Sequence, residues 1–157
     1  MNSLRPIPMN VAGSTNREVL LVEANVSDVQ FAVEAVGLTN LAGRIQAVAD
    51  GDEALEYLRR TGRYADRAGG NPALALVDIK LPGMSGIELL GQIKADARLK
   101  TIPCVMLTSS PRRDDIERSY QSGANAYVVK PANFQAYQET VRRVCEFWLA
   151  LNQPPGR

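Results

Sequence analysis

The chain has 157 residues, the size of one ordinary domain, and a formal net charge of +1, so no global field draws it to nucleic acid or to a membrane surface. It contains no histidine, which excludes His-based triads, His-ligated metal sites and phosphohistidine chemistry on this chain. No apolar run is long enough to cross a bilayer, and Cys104 and Cys145 lie far apart without motif spacing, as structural thiols of a reducing cytoplasm do.

Residues 1–16 lack the apolar core of a signal peptide and read as a loose tail. The ordered domain is expected over 17–151. Val19-Leu20-Leu21-Val22 is a short apolar strand ending in Glu23-Ala24-Asn25, and Ser27 and Asp28 offer caps for the helix that follows. Gly37 can end that helix, and Arg44 to Ala49 reads as a second strand. Asp50 with Glu53 resembles a capping box, and Ala54, Leu55 and Leu58 give its helix an apolar face. Thr61 to Pro72 is a polar, glycine-bearing loop.

Leu74 to Val77 is apolar at every position, not at every second one, which fits a strand covered on both faces by helices. Asp78 falls where this run ends, and Pro82-Gly83 marks a turn beyond it. In open parallel sheets, ligands bind outside the carboxyl ends of the strands, so Asp78 is an acid aimed into the expected site. Asp also caps turns, which is its plainer role. Ser85 with Glu88 forms a second capping-box pattern. A fourth strand, Cys104 to Leu107, ends in Thr108, and Ser110-Pro111 fits the start of a fourth helix, closed by Gly123. Ala126 to Val129 is the fifth strand and ends in Lys130-Pro131. Asn133 opens the last helix, and 152–157 is a Pro-Gly tail.

Strands alternating with helices imply an α/β fold with a parallel sheet and right-handed crossovers. All strand ends then face one edge, which gathers Glu23, Asp78, Thr108 and Lys130. That set suits phosphoryl transfer to a carboxylate: an Asp nucleophile, a hydroxyl donor, an ammonium, and acids for a divalent ion. A plainer role exists for each, since Lys130 can simply neutralise Asp78 and Thr108 can cap a loop.

Leu20-Leu21-Val22-Glu23, Leu76-Val77-Asp78-Ile79-Lys80-Leu81-Pro82-Gly83, Leu107-Thr108-Ser109-Ser110 and Val129-Lys130-Pro131 together resemble the receiver domain of two-component response regulators. The resemblance runs from Val19 to Cys145. It implies a flavodoxin-like, five-stranded parallel sheet of order 2-1-3-4-5 with helices on both faces. It implies Asp78 as phosphoacceptor, Thr108 as the switch hydroxyl and Lys130 as the phosphate-binding lysine. Mg²⁺ would be held by Glu23, Asp78 and the Lys80 backbone carbonyl. Tyr127 matches an aromatic that changes rotamer on activation, although a half-buried strand tyrosine explains it equally. Lys130-Pro131 matches a cis bond. The partner implied is a sensor histidine kinase, and the module accepts a phosphoryl group rather than turning over a substrate.

The family usually carries two adjacent acids at the first strand's end, and this chain has Glu23-Ala24. Metal binding is therefore expected to be weak. A phosphorylation-independent protein-binding module of the same fold is the alternative. A haloacid-dehalogenase-like phosphatase is disfavoured, because Asp78 is followed by Ile79-Lys80 and not by a second acid two residues on. No output domain follows in the sequence, so a stand-alone receiver is expected. In the last helix Phe134, Tyr137, Val141, Val144, Trp148 and Leu151 alternate at three and four residues, an a/d seam. Phe147 to Leu151 is then apolar all round, similar to response regulators paired with bacterial phytochromes. A homodimer through Phe147, Trp148 and Leu151 is the expectation.

Overall fold

The computed structural model describes residues 18–39 and 44–155. The expected tail over 1–16 lies outside the described residues. Five strands, β1 (Glu18–Val22), β2 (Arg44–Val48), β3 (Leu74–Val77), β4 (Cys104–Thr108) and β5 (Ala126–Val129), form one parallel sheet in the order β2-β1-β3-β4-β5. Five helices connect and close it: α1 (Val26–Gly37), α2 (Gly51–Arg59), α3 (Gly86–Ala95), α4 (Arg113–Gln121) and α5 (Phe134–Glu146).

The continuous apolar runs follow from this layering. Successive side chains of a strand point to opposite faces. Leu20 and Val22 of β1 therefore join Ala54, Leu55 and Leu58 of α2 and Leu89, Leu90 and Ile93 of α3 in one core. Val19 and Leu21 join Ala32, Ala35 and Val36 of α1 and Tyr137, Val141 and Cys145 of α5 in another. Every residue of β1, β3 and β4 is buried. Cys104 and Cys145 are free and buried, and burial pushes their thiols up to about 11 and about 12.

The helix starts differ from the sequence expectation in two places. Asn25, not Ser27 or Asp28, is the N-cap of α1; its side chain accepts the Asp28 N–H at 3.0 Å. That puts Asp28 inside the first turn. Helix α4 begins at Arg113, after Arg112, while the Ser110 hydroxyl donates to Asp115 at 2.6 Å and accepts the Arg112 N–H at 3.3 Å. The Ser85–Glu88 capping box forms in full, and Asn133 caps α5. Asp50 caps α2 through Glu53 N–H, while the Glu53 carboxylate takes the Ala49 N–H.

The last helix also departs from the expected seam. Its buried residues are Tyr137, Val141 and Cys145, followed by Leu149, a spacing of four throughout. After Glu146 the chain widens into a π-helical turn, Phe147–Leu151, closed by Asn152 N–H to Phe147 C=O at 2.7 Å. Phe134 is half exposed, with its ring edge-on to Phe31. The Lys130–Pro131 peptide is trans, the form that X–Pro bonds favour by about 0.5–1 kcal/mol.

One glycine fixes how closely α3 meets the strand end. A Cβ at Gly86 would overlap the main-chain carbonyl of Asp78, which cannot move without shifting the site. At Gly91, in the same helix, a Cβ would meet nothing. Gly86→Ala is expected to lower stability by about 2–3 kcal/mol, and Gly91→Ala to raise it by about 0.5–1 kcal/mol. Urea midpoints of the two variants check this, and equal midpoints would refute the close approach.

Candidate functional site

The carboxyl ends of β1, β3 and β5 and the first turn of α1 converge on one side chain. Lys130 follows β5, and its N–H bonds the Thr108 carbonyl at 2.7 Å, extending the β4–β5 ladder by one rung. The Lys130 ammonium lies 2.6 Å from Glu23 Oε1, 2.7 Å from Asp28 Oδ2 and 3.0 Å from Asp78 Oδ2. Three formal negative charges thus surround one positive charge at a largely buried point.

The second oxygens of these carboxylates are also placed. Asp78 Oδ1 accepts the Ile79 N–H at 2.7 Å, and Glu23 Oε2 accepts the Asn25 N–H at 3.0 Å. Burial pushes the Glu23 carboxyl above the usual carboxylate range, against the pull of its bonds to Lys130 and Asn25. For Lys130 burial works against the charge, but the bonds to Asp28 and Glu23 and the charge of Asp78 outweigh it and hold the ammonium above the ordinary lysine range. The lysine is therefore a fixed cation at any physiological pH.

The remaining expected residues lie close by in the fold. Thr108 is buried at the end of β4, and its hydroxyl oxygen accepts the Ser110 N–H at 3.4 Å. Tyr127 is half-buried against the core, and its hydroxyl donates to the Ser110 carbonyl at 2.8 Å. It ties β5 to the loop after β4. Lys80 is exposed in the turn after Asp78. Phe147 and Leu151 are exposed, but Trp148 is half-buried, packed on the α1/α5 core and edge-on to Phe147. The expected dimer residues therefore share one end of the chain without forming one equally exposed face.

Asp28 is the member that sequence reasoning missed as a site residue. The available signal was Asn25, a strong N-cap residue three positions earlier. With Asn25 capping, Asp28 sits at the third helical position, turned back toward the strand end.

Ala24 brings no polar side chain to this edge. The hard oxygen donors that remain suit a small divalent ion, which binds through one or two carboxylates with waters. Glu23 and Asp78 share one positive centre, the Lys130 ammonium. Among the described residues no group of three or more acidic, cysteine or histidine side chains is placed to hold a metal ion by itself. No helix among the described residues is long and apolar enough to cross a membrane.

Comparison with known proteins gives a consistent picture. The family model for the response regulator receiver domain matches residues 19–142. A protein of Methanothrix harundinacea, named as a probable methanogenesis regulatory protein, FilR2, is 39% identical over 140 residues, covering 88% of this chain and 87% of that protein. The phosphorylated cyanobacterial phytochrome response regulator RcpA is a structural neighbour with a TM-score of 0.85 and 37% identity, covering 90% of this chain and 100% of that one. The Mn²⁺-bound form of response regulator Rcp1, a protein of Synechocystis sp., has a TM-score of 0.83 and 31% identity, covering 89% and 99%.

Proposed function

The chain belongs to the response regulator receiver family, a family of signalling modules, and from that premise we propose that it accepts a phosphoryl group on Asp78 from a histidine kinase. The observation that carries the reading is the contact of the Lys130 ammonium with Asp78 at the edge where the five parallel strands end.

In the proposed reaction an Asp78 carboxylate oxygen attacks the phosphorus of the kinase's phosphohistidine. A P–O bond forms as the P–N bond breaks, and the imidazole nitrogen leaves with the electron pair. The chain's part is mostly positioning and charge. The Ile79 N–H holds one carboxylate oxygen of Asp78 and so orients the nucleophile. Lys130 supplies a permanent positive charge beside the group being transferred. Thr108 can turn its hydroxyl toward a phosphoryl oxygen and pull the β4 end with it. Tyr127, bonded to the Ser110 carbonyl of the same loop, is the side chain that such a shift would release.

Glu23, Asp78 and the Lys80 carbonyl would hold Mg²⁺, which supplies the rest of the positive charge on the transferring oxygens. Ala24 contributes no ligand, so we read this affinity as weakened. The kinase we propose is of the phytochrome class, on the strength of the likeness to RcpA, and the setting is the cytoplasm, with neither nucleic acid nor membrane as partner. The unit that carries these roles is taken as 17–151. We further propose a homodimer through the end of α5, where Phe147 and Leu151 are exposed beside the half-buried Trp148. Ala24 favours a second reading, a receiver that binds its partners without being phosphorylated.

Three outcomes are expected. The wild-type chain takes up acid-labile phosphate from a small phosphodonor with Mg²⁺, and Asp78→Asn takes up none. Label that persists in the variant would move the phosphoacceptor elsewhere, and no label on the wild type would select the phosphorylation-independent reading. Ala24→Asp, which adds one carboxylate, is expected to tighten Mg²⁺ by about tenfold, measured by titration calorimetry; equal binding would show that Ala24 costs the site nothing. Replacing both Phe147 and Leu151 with Glu in the full chain is expected to halve the mass seen by light scattering, and an unchanged dimer mass would place the interface elsewhere.

A further inference from the structure

A lysine ammonium has three N–H donors. Those of Lys130 all have acceptors: Glu23 Oε1 at 2.6 Å, Asp28 Oδ2 at 2.7 Å and Asp78 Oδ2 at 3.0 Å. Phosphorylation takes the carboxylate charge from Asp78, so the N–H it held passes to the phosphoryl group, and a second N–H of this lysine can follow only if Glu23 or Asp28 is given up. The acceptors differ in what their release costs. The Glu23 side chain is 2% exposed and that of Asp78 10%, whereas that of Asp28 is 25% exposed. A carboxylate released inside the protein loses its counter-charge without regaining water, and one released at the surface is rehydrated. Of the two acceptors that keep their charge after phosphorylation, Glu23 and Asp28, Asp28 is therefore the one that Lys130 can leave more cheaply.

Asp28 is also held in place for this contact. Its N–H is taken by the Asn25 cap at 3.0 Å, and its carbonyl accepts the Tyr137 hydroxyl at 3.4 Å from α5. It lies in the first turn of α1, where the helix dipole favours a carboxylate. Ala24 has no polar side chain to compete for the lysine, so the third acceptor comes from the helix.

We propose that Asp28 is a positioning residue, a releasable latch that holds the Lys130 ammonium in the resting site and yields it to the phosphoryl group on Asp78. The holding half of this stands on the resting geometry, and the yielding half rests on the phosphoacceptor reading above. The latch makes the resting and phosphorylated arrangements two alternatives for the same N–H donor.

The test uses the full chain with Asp28→Asn and Asp28→Ala, and two measurements. The first is solvent exchange of the Lys130 ammonium protons, followed by ¹H–¹⁵N NMR of the side-chain nitrogen without metal or phosphodonor. Both variants are expected to exchange about fivefold faster or more, the consequence of one lost charge-assisted bond. The second is binding of beryllium fluoride, a phosphoryl mimic, at saturating Mg²⁺, followed by the backbone amide shifts of Thr108 and Lys130. The variants are expected to bind it about fivefold more tightly, since the lysine no longer has to leave a partner. Asp28→Glu, which restores a carboxylate, should return both values toward wild type. Unchanged exchange overturns the latch. Faster exchange with equal or weaker fluoride binding overturns its release. If the wild type itself binds no fluoride, the phosphoacceptor reading fails, and the exchange rates alone decide whether Asp28 holds the lysine.

Discussion

Everything at this edge of the molecule depends on where one ammonium sits. Lys130 is carried by the last strand, and the three carboxylates around it come from the end of β1, the first turn of α1 and the end of β3. These segments meet because a parallel sheet puts all its carboxyl ends at one edge. Their alignment is set by ladder registers, Val22 beside Val77 and Thr108 beside Val129. A slip of one residue in any strand would turn its terminal side chain to the other face. The fully buried strands oppose such a slip, because it would exchange the contents of two packed cores.

Much of this was legible before any coordinates. Runs that are apolar at every position predicted a sheet covered on both faces, and the strand ends named Glu23, Asp78, Thr108 and Lys130. What was not legible depended on helix phase. Ser27, Asp28 and Asn25 are all residues that cap helices, and their composition does not say which one does. The choice of Asn25 turns Asp28 from a cap into a ligand of Lys130. The end of α5 follows the expected seam in part: Tyr137 and Val141 are buried, Val144 and Trp148 pack against the same core, and Leu151 is exposed. A seam drawn at alternating three and four residues assumes a uniform helix, whereas the chain keeps a spacing of four through Leu149 and widens into a π turn. Trp148, which shares a face with Val141 and Val144, packs against the core, and Phe147 and Leu151 lie outside.

The glycine at the start of α3 shows how the site is kept narrow. Gly86 lets the helix backbone come against the carbonyl of Asp78, and the Gly86 N–H bonds the Ile79 carbonyl at 2.8 Å. The main chain around Asp78 is thereby fixed on both sides: Asp78 N–H bonds Val22 C=O on β1, and the turn is bound to α3. A side chain mounted this way is oriented before any reaction begins.

The charge arrangement also explains what an alanine at position 24 does to the resting state. Three carboxylates about one ammonium already leave two negative charges unbalanced, and a fourth acid would raise that to three. The imbalance attracts a divalent ion, and it destabilises the site when no ion is there. With alanine the resting cluster is better satisfied, since each N–H of Lys130 has an acceptor and no further carboxylate lacks one. The same satisfaction works against transfer. A phosphoryl group adds negative charge where only Lys130 is permanently positive, and phosphoryl transfer relies chiefly on neutralising that charge. Under the proposed phosphoacceptor role, the two demands pull in opposite directions on the same few ångströms. Asp28 then matters more than a first-turn acid ordinarily would. It supplies the third negative charge that keeps Lys130 fully engaged, from a position open enough to water to surrender it.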